Sequence, residues 1–218
     1  MKEQIIEYIR KNRISTTEVA DCMGKSGAIE GVSAINRGHF RVGEVKWIYA
    51  YEESNWPVHE QVADIEEGKV IFVQMFECGQ RAVFGELVSK YLLLYKQSIA
   101  IVADGYMRDA AALIKENYPI WCKGFNPVGC FNKKPQMRLS QTLIEAGRRN
   151  YEGSVAVCDD CGVVIIPNER LDMEMLEALK KIELQEDIWF DRLDRYKENT
   201  FEIVCQKKYL SEKQGRKR

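Results

Sequence analysis

The chain has 218 residues, 45% hydrophobic and 30% charged, a balance that fits one large globular domain or two small ones. Its 32 Lys and Arg residues against 33 Asp and Glu residues leave a net charge of −1, which excludes a global electrostatic draw toward nucleic acid or an anionic membrane surface. No apolar run approaches the ~20 residues of a membrane span, and the charged amphipathic start Met1-Lys2-Glu3-Gln4 lacks a secretory-leader pattern. Seven scattered cysteines point to a reducing cytoplasm rather than a disulfide scaffold. With two histidines, His39 and His59, a His-rich metal centre or a His-based triad is hard to assemble. Both read as lone structural or surface residues.

Ile5, Ile6 and Ile9 at helical spacing predict a helix over 2–12. Ser15-Thr16-Thr17-Glu18 reads as a capping box opening a short helix that Gly24 can end. After a glycine-rich loop to Gly31, the β-branched and aromatic content of 42–51 predicts a strand. Pro57 suits the first turn of a helix reaching Asp64, and 69–76 reads as a strong strand. A helix over 86–96, a strand over 98–103, a helix from 106 to about 117 and a short strand over 119–122 give an alternation that argues for parallel crossovers.

The stretch 123–138, with Gly124, Pro127, Gly129 and Pro135, reads as a long loop with a functional role. Strands over 155–158 and 163–166 flank Asp159-Asp160-Cys161-Gly162, the signature of a hairpin. Met175, Leu176, Leu179 and Ile182 line one face of a helix over 171–199. Trp189, Phe190, Leu193 and Tyr196 form a stripe that suits core packing or a subunit contact. The basic tail 213–218 reads as unordered, without the aromatic residues that stack on bases. The division is therefore an α/β domain over 1–170 and a C-terminal helical extension and tail over 171–218.

Two segments carry candidate chemistry. The apolar run of 99–103 ends in Asp104-Gly105, and Arg108 and Asp109 are expected to open the following helix. A buried strand thus delivers a cation and a carboxylate to its C-terminal end, where open α/β sheets bind ligands. Arg keeps a planar, permanent charge suited to carboxylate and enolate oxygens, and a lone Asp with waters suits Mg²⁺. Upstream, Gly85-Glu86-Leu87-Val88 starts a helix whose free N–H groups can dock an anion. The plainer readings are a helix preceded by a glycine, and a turn at Asp104 followed by a surface Arg108 and a first-turn Asp109. Cys158-Asp159-Asp160-Cys161 has the spacing of half a zinc site, but no second pair accompanies it, and buried thiols behave as small hydrophobes.

In order along the chain, four motifs resemble the RraA-like family: Thr16-Thr17…Asp21…Gly24, Gly85-Glu86-Leu87-Val88-Ser89, Asp104-Gly105-Tyr106-Met107-Arg108-Asp109 and Asp159-Asp160-Cys161-Gly162-Val163-Val164. The family includes class II, metal-dependent aldolases for 4-hydroxy-4-methyl-2-oxoglutarate and 4-carboxy-4-hydroxy-2-oxoadipate, and proteins named as regulators of ribonuclease E. The resemblance implies an α/β fold of the swivelling β/β/α type, assembled as a homotrimer or a hexamer with sites at subunit boundaries. It implies that Arg108 binds the oxo or enolate oxygen of a small-molecule 2-oxo acid, that Asp109 ligates Mg²⁺ or Mn²⁺, and that the backbone from Gly85 to Val88, through Glu86 and Leu87, cradles the carboxylate. Glu86 would serve a proton relay. An acidic residue from a neighbouring subunit is also implied, and the motifs do not place it.

The implied reaction is C–C cleavage of a 2-oxo acid, by retro-aldol or by oxaloacetate decarboxylation, with the ion and Arg108 stabilising a pyruvate enolate. The chain departs from the family where Glu152-Gly153-Ser154 replaces Pro-Gly-Asp, where Val88-Ser89 replaces Leu-Ala, and around 124–130. The alternatives are a non-catalytic regulator binding a partner protein such as a ribonuclease, and a relative recruited to sugar-acid metabolism.

Overall fold

The structure is a computed structural model that describes residues 1–210. The basic tail over 213–218 lies outside the described residues. β-Branched and aromatic runs build one sheet from β1 (Ser33–Ala34), β2 (Arg41–Tyr51), β3 (Val70–Phe76), β4 (Ala100–Met107), β5 (Ile120–Phe125), β6 (Val155–Asp159) and β7 (Gly162–Ile166). The spatial order is β1-β5-β4-β3-β2-β6-β7. Strands β2, β3, β4 and β5 pair in parallel, while β1 and the β6–β7 hairpin add antiparallel edges.

The helices α3 (Trp56–Gln61), α4 (Glu86–Lys90) and α5 (Ala110–Lys115) make the three crossovers between parallel strands. Alternate residues of each central strand point to opposite layers. Ile48, Ile71, Val73 and Ile101 pack with Val58, Leu92 and Leu113 under the crossover helices. Trp47, Phe72, Val102 and Trp121 fill the other layer. Burial on both faces explains why these strands read as continuous apolar runs.

A third cluster joins α1 (Lys2–Asn12), α2 (Thr16–Cys22) and the start of α7 (Met173–Tyr196) to the hairpin, through Ile5, Ile9, Val19, Val157, Ile166, Met175 and Leu179. The capping box forms as expected: Glu18 N–H donates to Ser15 Oγ at 3.2 Å, and Ser15 N–H to Glu18 Oε2 at 2.7 Å. The Thr-Thr and Asp-Asp motifs meet here. Thr16 N–H and Oγ–H donate to the two oxygens of Asp159 at 2.8 and 2.7 Å, so this carboxylate pins α2 to the hairpin. Within the same turn Cys158 is buried and Cys161 exposed. Among the described residues, no group of three or more His, Cys, Asp or Glu is arranged to hold a metal, and no helix is long and apolar enough to cross a membrane.

Several boundaries differ from the sequence reading. Asp104-Gly105 does not end its strand, and β4 runs on to Met107 with a register shift between Ala103 and Tyr106. Asp104 is retained because Lys123 on the neighbouring strand pairs with it at 2.5 Å. Gly105 leaves room for the Met75 side chain, whose Sδ a Cβ there would meet at 2.0 Å. The helix expected from 106 starts at Ala110, so Arg108 and Asp109 precede it. The helix over 86–96 is α-helical only to Lys90 and continues as a π-helical turn, Tyr91–Tyr95.

An additional helix, α6 (Gln141–Tyr151), was not expected. Its apolar stripe is thin, and Gly147 sits at its centre. There Trp47 needs the space: a Cβ on Gly147 would lie 2.0 Å from Trp47 Cζ2. An exposed helical Gly→Ala change ordinarily stabilises by up to ~1 kcal/mol. Gly147→Ala is expected to do the opposite and destabilise by ~1–3 kcal/mol, as overpacking does. Urea unfolding of the two proteins checks this, and an unchanged or raised midpoint contradicts the packing.

Candidate active site

Strands β3 and β4 end side by side, and the chain leaving β3 is stitched along the end of β4. Val83 N–H donates to Tyr106 O at 2.8 Å, and Arg108 N–H to Phe84 O at 3.1 Å. These bonds set Gly85 against Arg108-Asp109. A Cβ on Gly85 would lie 2.0 Å from Asp109 Oδ2 and 2.8 Å from Arg108 Cγ. The space that the glycine opens is therefore filled by the chain's own carboxylate.

Asp109 has a left-handed backbone, φ 59°, which a short polar side chain tolerates better than most. Its carbonyl accepts from Ala112 and Leu113 N–H at 3.0 and 3.1 Å and so opens α5, but its side chain does not cap that helix. Instead Oδ2 accepts the N–H of Glu86, the first residue of α4, at 3.0 Å. Gly85, the N-cap residue of α4, has no side chain to offer, and Asp109 supplies the missing cap from the next crossover. A carboxylate there also meets the positive end of the helix dipole. Asp109 Oδ1 makes no hydrogen bond among the described residues.

Arg108 is half-exposed, with Nε 3.7 Å from Asp109 Oδ2, too far for a hydrogen bond. Its guanidinium donates no hydrogen bond among the described residues. Both side chains line a cavity of about 90 Å³, together with Asn55, Gly85, Leu87 and Val88. That volume is on the order of three waters. The first-turn N–H groups of Leu87 and Val88 have no partner within their own helix. The Leu87 side chain is 81% exposed. Glu86 is exposed and does not line the cavity; its N–H is the group that Asp109 takes up. Larger hollows of about 430 and 470 Å³ lie around Gly27–Ile29, remote from this cation–carboxylate pair.

The structure adds residues that the sequence reading left out. Asn55, just before α3, donates Nδ2–H to Val83 O at 2.9 Å, while its Oδ1 is buried without a hydrogen-bond partner. His59, read from sequence as lone, lines the same cavity one helical turn further on. The signal was the i, i+4 spacing of Asn55 and His59 around Pro57, which places both on one helix face. Gly129, Cys130 and Asn132, from the loop after β5, also line the cavity.

The donor set suits a hard divalent cation of the water-rich kind. One carboxylate oxygen is uncommitted, and no group of three or more His, Cys, Asp or Glu surrounds it among the described residues, although His59 and Cys130 line the same cavity. Mg²⁺ keeps most of its hydration and needs few protein ligands. Asp109 is also structural, which gives a test free of any ligand. Asp109→Ala removes a cap and leaves alanine in the left-handed region, so it is expected to cost ~1–2 kcal/mol. Asp109→Asn keeps an acceptor and is expected to cost under about half of that. Equal losses in urea unfolding would mean that the cap contributes little.

Comparison with known proteins agrees with this architecture. The family model described as RraA-like, Aldolase/RraA, matches residues 16–165. Over 195 residues the chain is 23% identical to Protein DlpA of Legionella pneumophila subsp. pneumophila, covering 86% of this chain and 31% of that protein; it thus spans about a third of that relative's length. Over 186 residues it is 25% identical to a Halalkalibacterium halodurans protein named "Putative 4-hydroxy-4-methyl-2-oxoglutarate aldolase", covering 83% of this chain and 86% of that one. A crystal structure of an uncharacterized protein from Pseudomonas syringae pv. tomato superposes with a TM-score of 0.68 at 19% identity, covering 92% and 96% of the two chains. Streptomyces coelicolor RraAS2, described as an unusual member of the RNase ES inhibitor RraA protein family, gives 0.68 at 20% identity, covering 87% and 97%. These structures show a shared fold, and the matched span contains all four sequence motifs. The chain belongs to the RraA-like family.

Proposed function

We propose that the chain is a divalent-metal-dependent lyase that cleaves a C–C bond of a 2-oxo acid, by retro-aldol cleavage of a 4-hydroxy-2-oxo acid, by decarboxylation of oxaloacetate, or both. The observation that carries this reading is the convergence on one cavity of a guanidinium that donates no hydrogen bond among the described residues, an uncommitted carboxylate oxygen and the first turn of α4. The name carried by the Halalkalibacterium halodurans relative supports it.

In this reading Leu87 and Val88 offer their first-turn N–H groups to the substrate carboxylate, where a helix start favours an anion. Cleavage requires the electron pair of the broken C3–C4 bond to move onto the C2 oxygen. Arg108 offers that oxygen the planar, positively charged fork of a guanidinium. Asp109 would hold Mg²⁺ or Mn²⁺ through its free oxygen, and the ion, when bound, supplies Lewis-acid charge and an acidified water. Glu86, at the open side of α4, is the candidate to pass protons between solvent and site. A homotrimer or hexamer, with a neighbouring subunit completing the site, and a cytoplasmic location belong to the same proposal.

Pyruvate release from 4-hydroxy-2-oxo acids and from oxaloacetate is expected, abolished by a chelator and restored by Mg²⁺ or Mn²⁺. Arg108→Ala is expected to lower turnover by ~10²-fold or more, the scale of losing a fixed charge at a developing oxyanion, with unchanged thermal unfolding. Full activity in that variant removes Arg108 from the mechanism. Failure to turn over any 2-oxo acid, together with tight binding to a ribonuclease, replaces the lyase by a regulator.

A further inference from the structure

We propose that the candidate site takes 2-oxo acids with an apolar group, aryl or branched alkyl, at C4, and that this group sits in a hollow beside the cavity walled by His59, Val62, Ala63, Leu87, Val88 and Tyr91. The turnover of such acids rests on the lyase reading; the preference for an apolar tail is a matter of binding and does not.

Size carries the first step. The cavity shared by Arg108 and Asp109 is about 90 Å³, on the order of three waters. It takes the carboxyl and carbonyl end of a 2-oxo acid and little more, so the rest of the molecule must extend beyond it. His59, Leu87 and Val88 line both that cavity and the second hollow, of about 340 Å³, so the two spaces adjoin along these residues. An apolar cavity of ~150 Å³ holds a benzene, and the hollow has room for such a ring.

The lining carries the second step. Among the described residues, no Asp, Glu, Lys or Arg lines the hollow. Val62 and Val88 are buried, while Leu87 and Tyr91 expose apolar surface beside them. A second carboxylate there would lose water without gaining a paired cation, which is costly, whereas an apolar group gains by leaving water. Lys96 reaches the rim, and its ammonium is taken up there: it donates to Ala63 O at 2.5 Å and lies 5.9 Å from the centre of the Tyr91 ring. This cation thereby ties the turn after α3 to the π-helical turn that Tyr91 opens, a geometry found mostly at functional sites.

A molecule that spans both spaces carries C4 past His59, whose imidazole makes no hydrogen bond among the described residues and is placed for a 4-hydroxyl. Cleavage breaks the C3–C4 bond. The 4-hydroxyl loses its proton and becomes the carbonyl of an apolar aldehyde, C3 takes up a proton as pyruvate forms, and nothing is oxidised or reduced.

The tail is tested on the full chain with added Mg²⁺. 2-Oxo-4-phenylbutyrate and 2-oxoglutarate differ in the group at C4 and, lacking a 4-hydroxyl, undergo no retro-aldol cleavage. In titration calorimetry the phenyl acid is expected to bind ~10-fold or more tightly, the scale of burying a ring. Pyruvate release is expected to favour 4-hydroxy-2-oxo-4-phenylbutyrate over 4-hydroxy-2-oxoglutarate in the same order. Ala63→Phe fills the hollow from an exposed position and is expected to cut the phenyl preference ~10-fold; if that variant fails to fold, the wild-type binding pair decides. Phenyl-selective binding without pyruvate release from either hydroxy acid removes the lyase reading and keeps the hollow. Pyruvate release with equal binding, as when a neighbouring subunit fills the hollow, or with tighter binding of 2-oxoglutarate keeps the lyase and overturns the proposal. No binding of either acid, or a phenyl preference that survives in Ala63→Phe, overturns it as well.

Discussion

A hydrogen bond reached across a glycine fixes the geometry at the ends of the parallel strands: Asp109 Oδ2 to the N–H of Glu86, 3.0 Å, over Gly85. It joins two successive crossovers, since Asp109 opens α5 with its backbone and closes the start of α4 with its side chain. Three conditions must hold together. Residue 85 must have no Cβ, residue 109 must tolerate a left-handed backbone, and β4 must run far enough to bring them level. The carboxylate is thereby half-used, with one oxygen spent on the fold and the other left over. The same side chain can therefore be stabilising and available for chemistry, and its two roles cannot be separated by deleting it.

Other carboxylates in this fold are spent on tying elements together. Asp159 gives both oxygens to Thr16, and Glu18 gives one of its oxygens to both the N–H and the hydroxyl of Ser15. Asp104 is paired across the sheet with Lys123. Each lies in a family motif or beside one, yet each is explained by the elements it ties together. Motif membership alone would have marked Asp104, Asp109 and Asp159 equally; of the three, Asp109 lines the cavity with Arg108.

Strands β2 to β7, the capping box, the hairpin and the helices α1 to α5 and α7 were legible because their causes are local: period-two burial, a Ser and a Glu three residues apart, a turn sequence between apolar runs. The motif residues were legible for the same reason, and Arg108 and Asp109 do meet the start of α4. Less legible was anything whose cause lies across the fold. Asp104-Gly105 looks like a strand end until Lys123 and Met75 are seen beside it. The helix α6 was not expected, and Gly147 within it is accounted for by Trp47, which needs its space. His59 looked lone because its companions in the cavity come from residues 85–88, 108–109 and 129–132, which no spacing rule connects. Gly85 was read as making room for a ligand, and the place of its missing Cβ is taken by Asp109, a neighbour from across the fold.

The smallness of the cavity bears on how such a site could work. A guanidinium about half-exposed, a carboxylate 43% exposed and a leucine 81% exposed leave the cavity open to water on one side. Charge stabilisation of an enolate is weak in water and strong when water is excluded. A single chain therefore supplies the charged groups without the low-dielectric surroundings that would make them effective. Leu87, Tyr91, Leu94 and Tyr95 expose apolar surface on the same helical segment that begins at the cavity. In the proposed assembly a neighbouring subunit covering that surface would bury apolar area and dry the cavity in one step, so that oligomerisation and catalytic competence would share one physical cause.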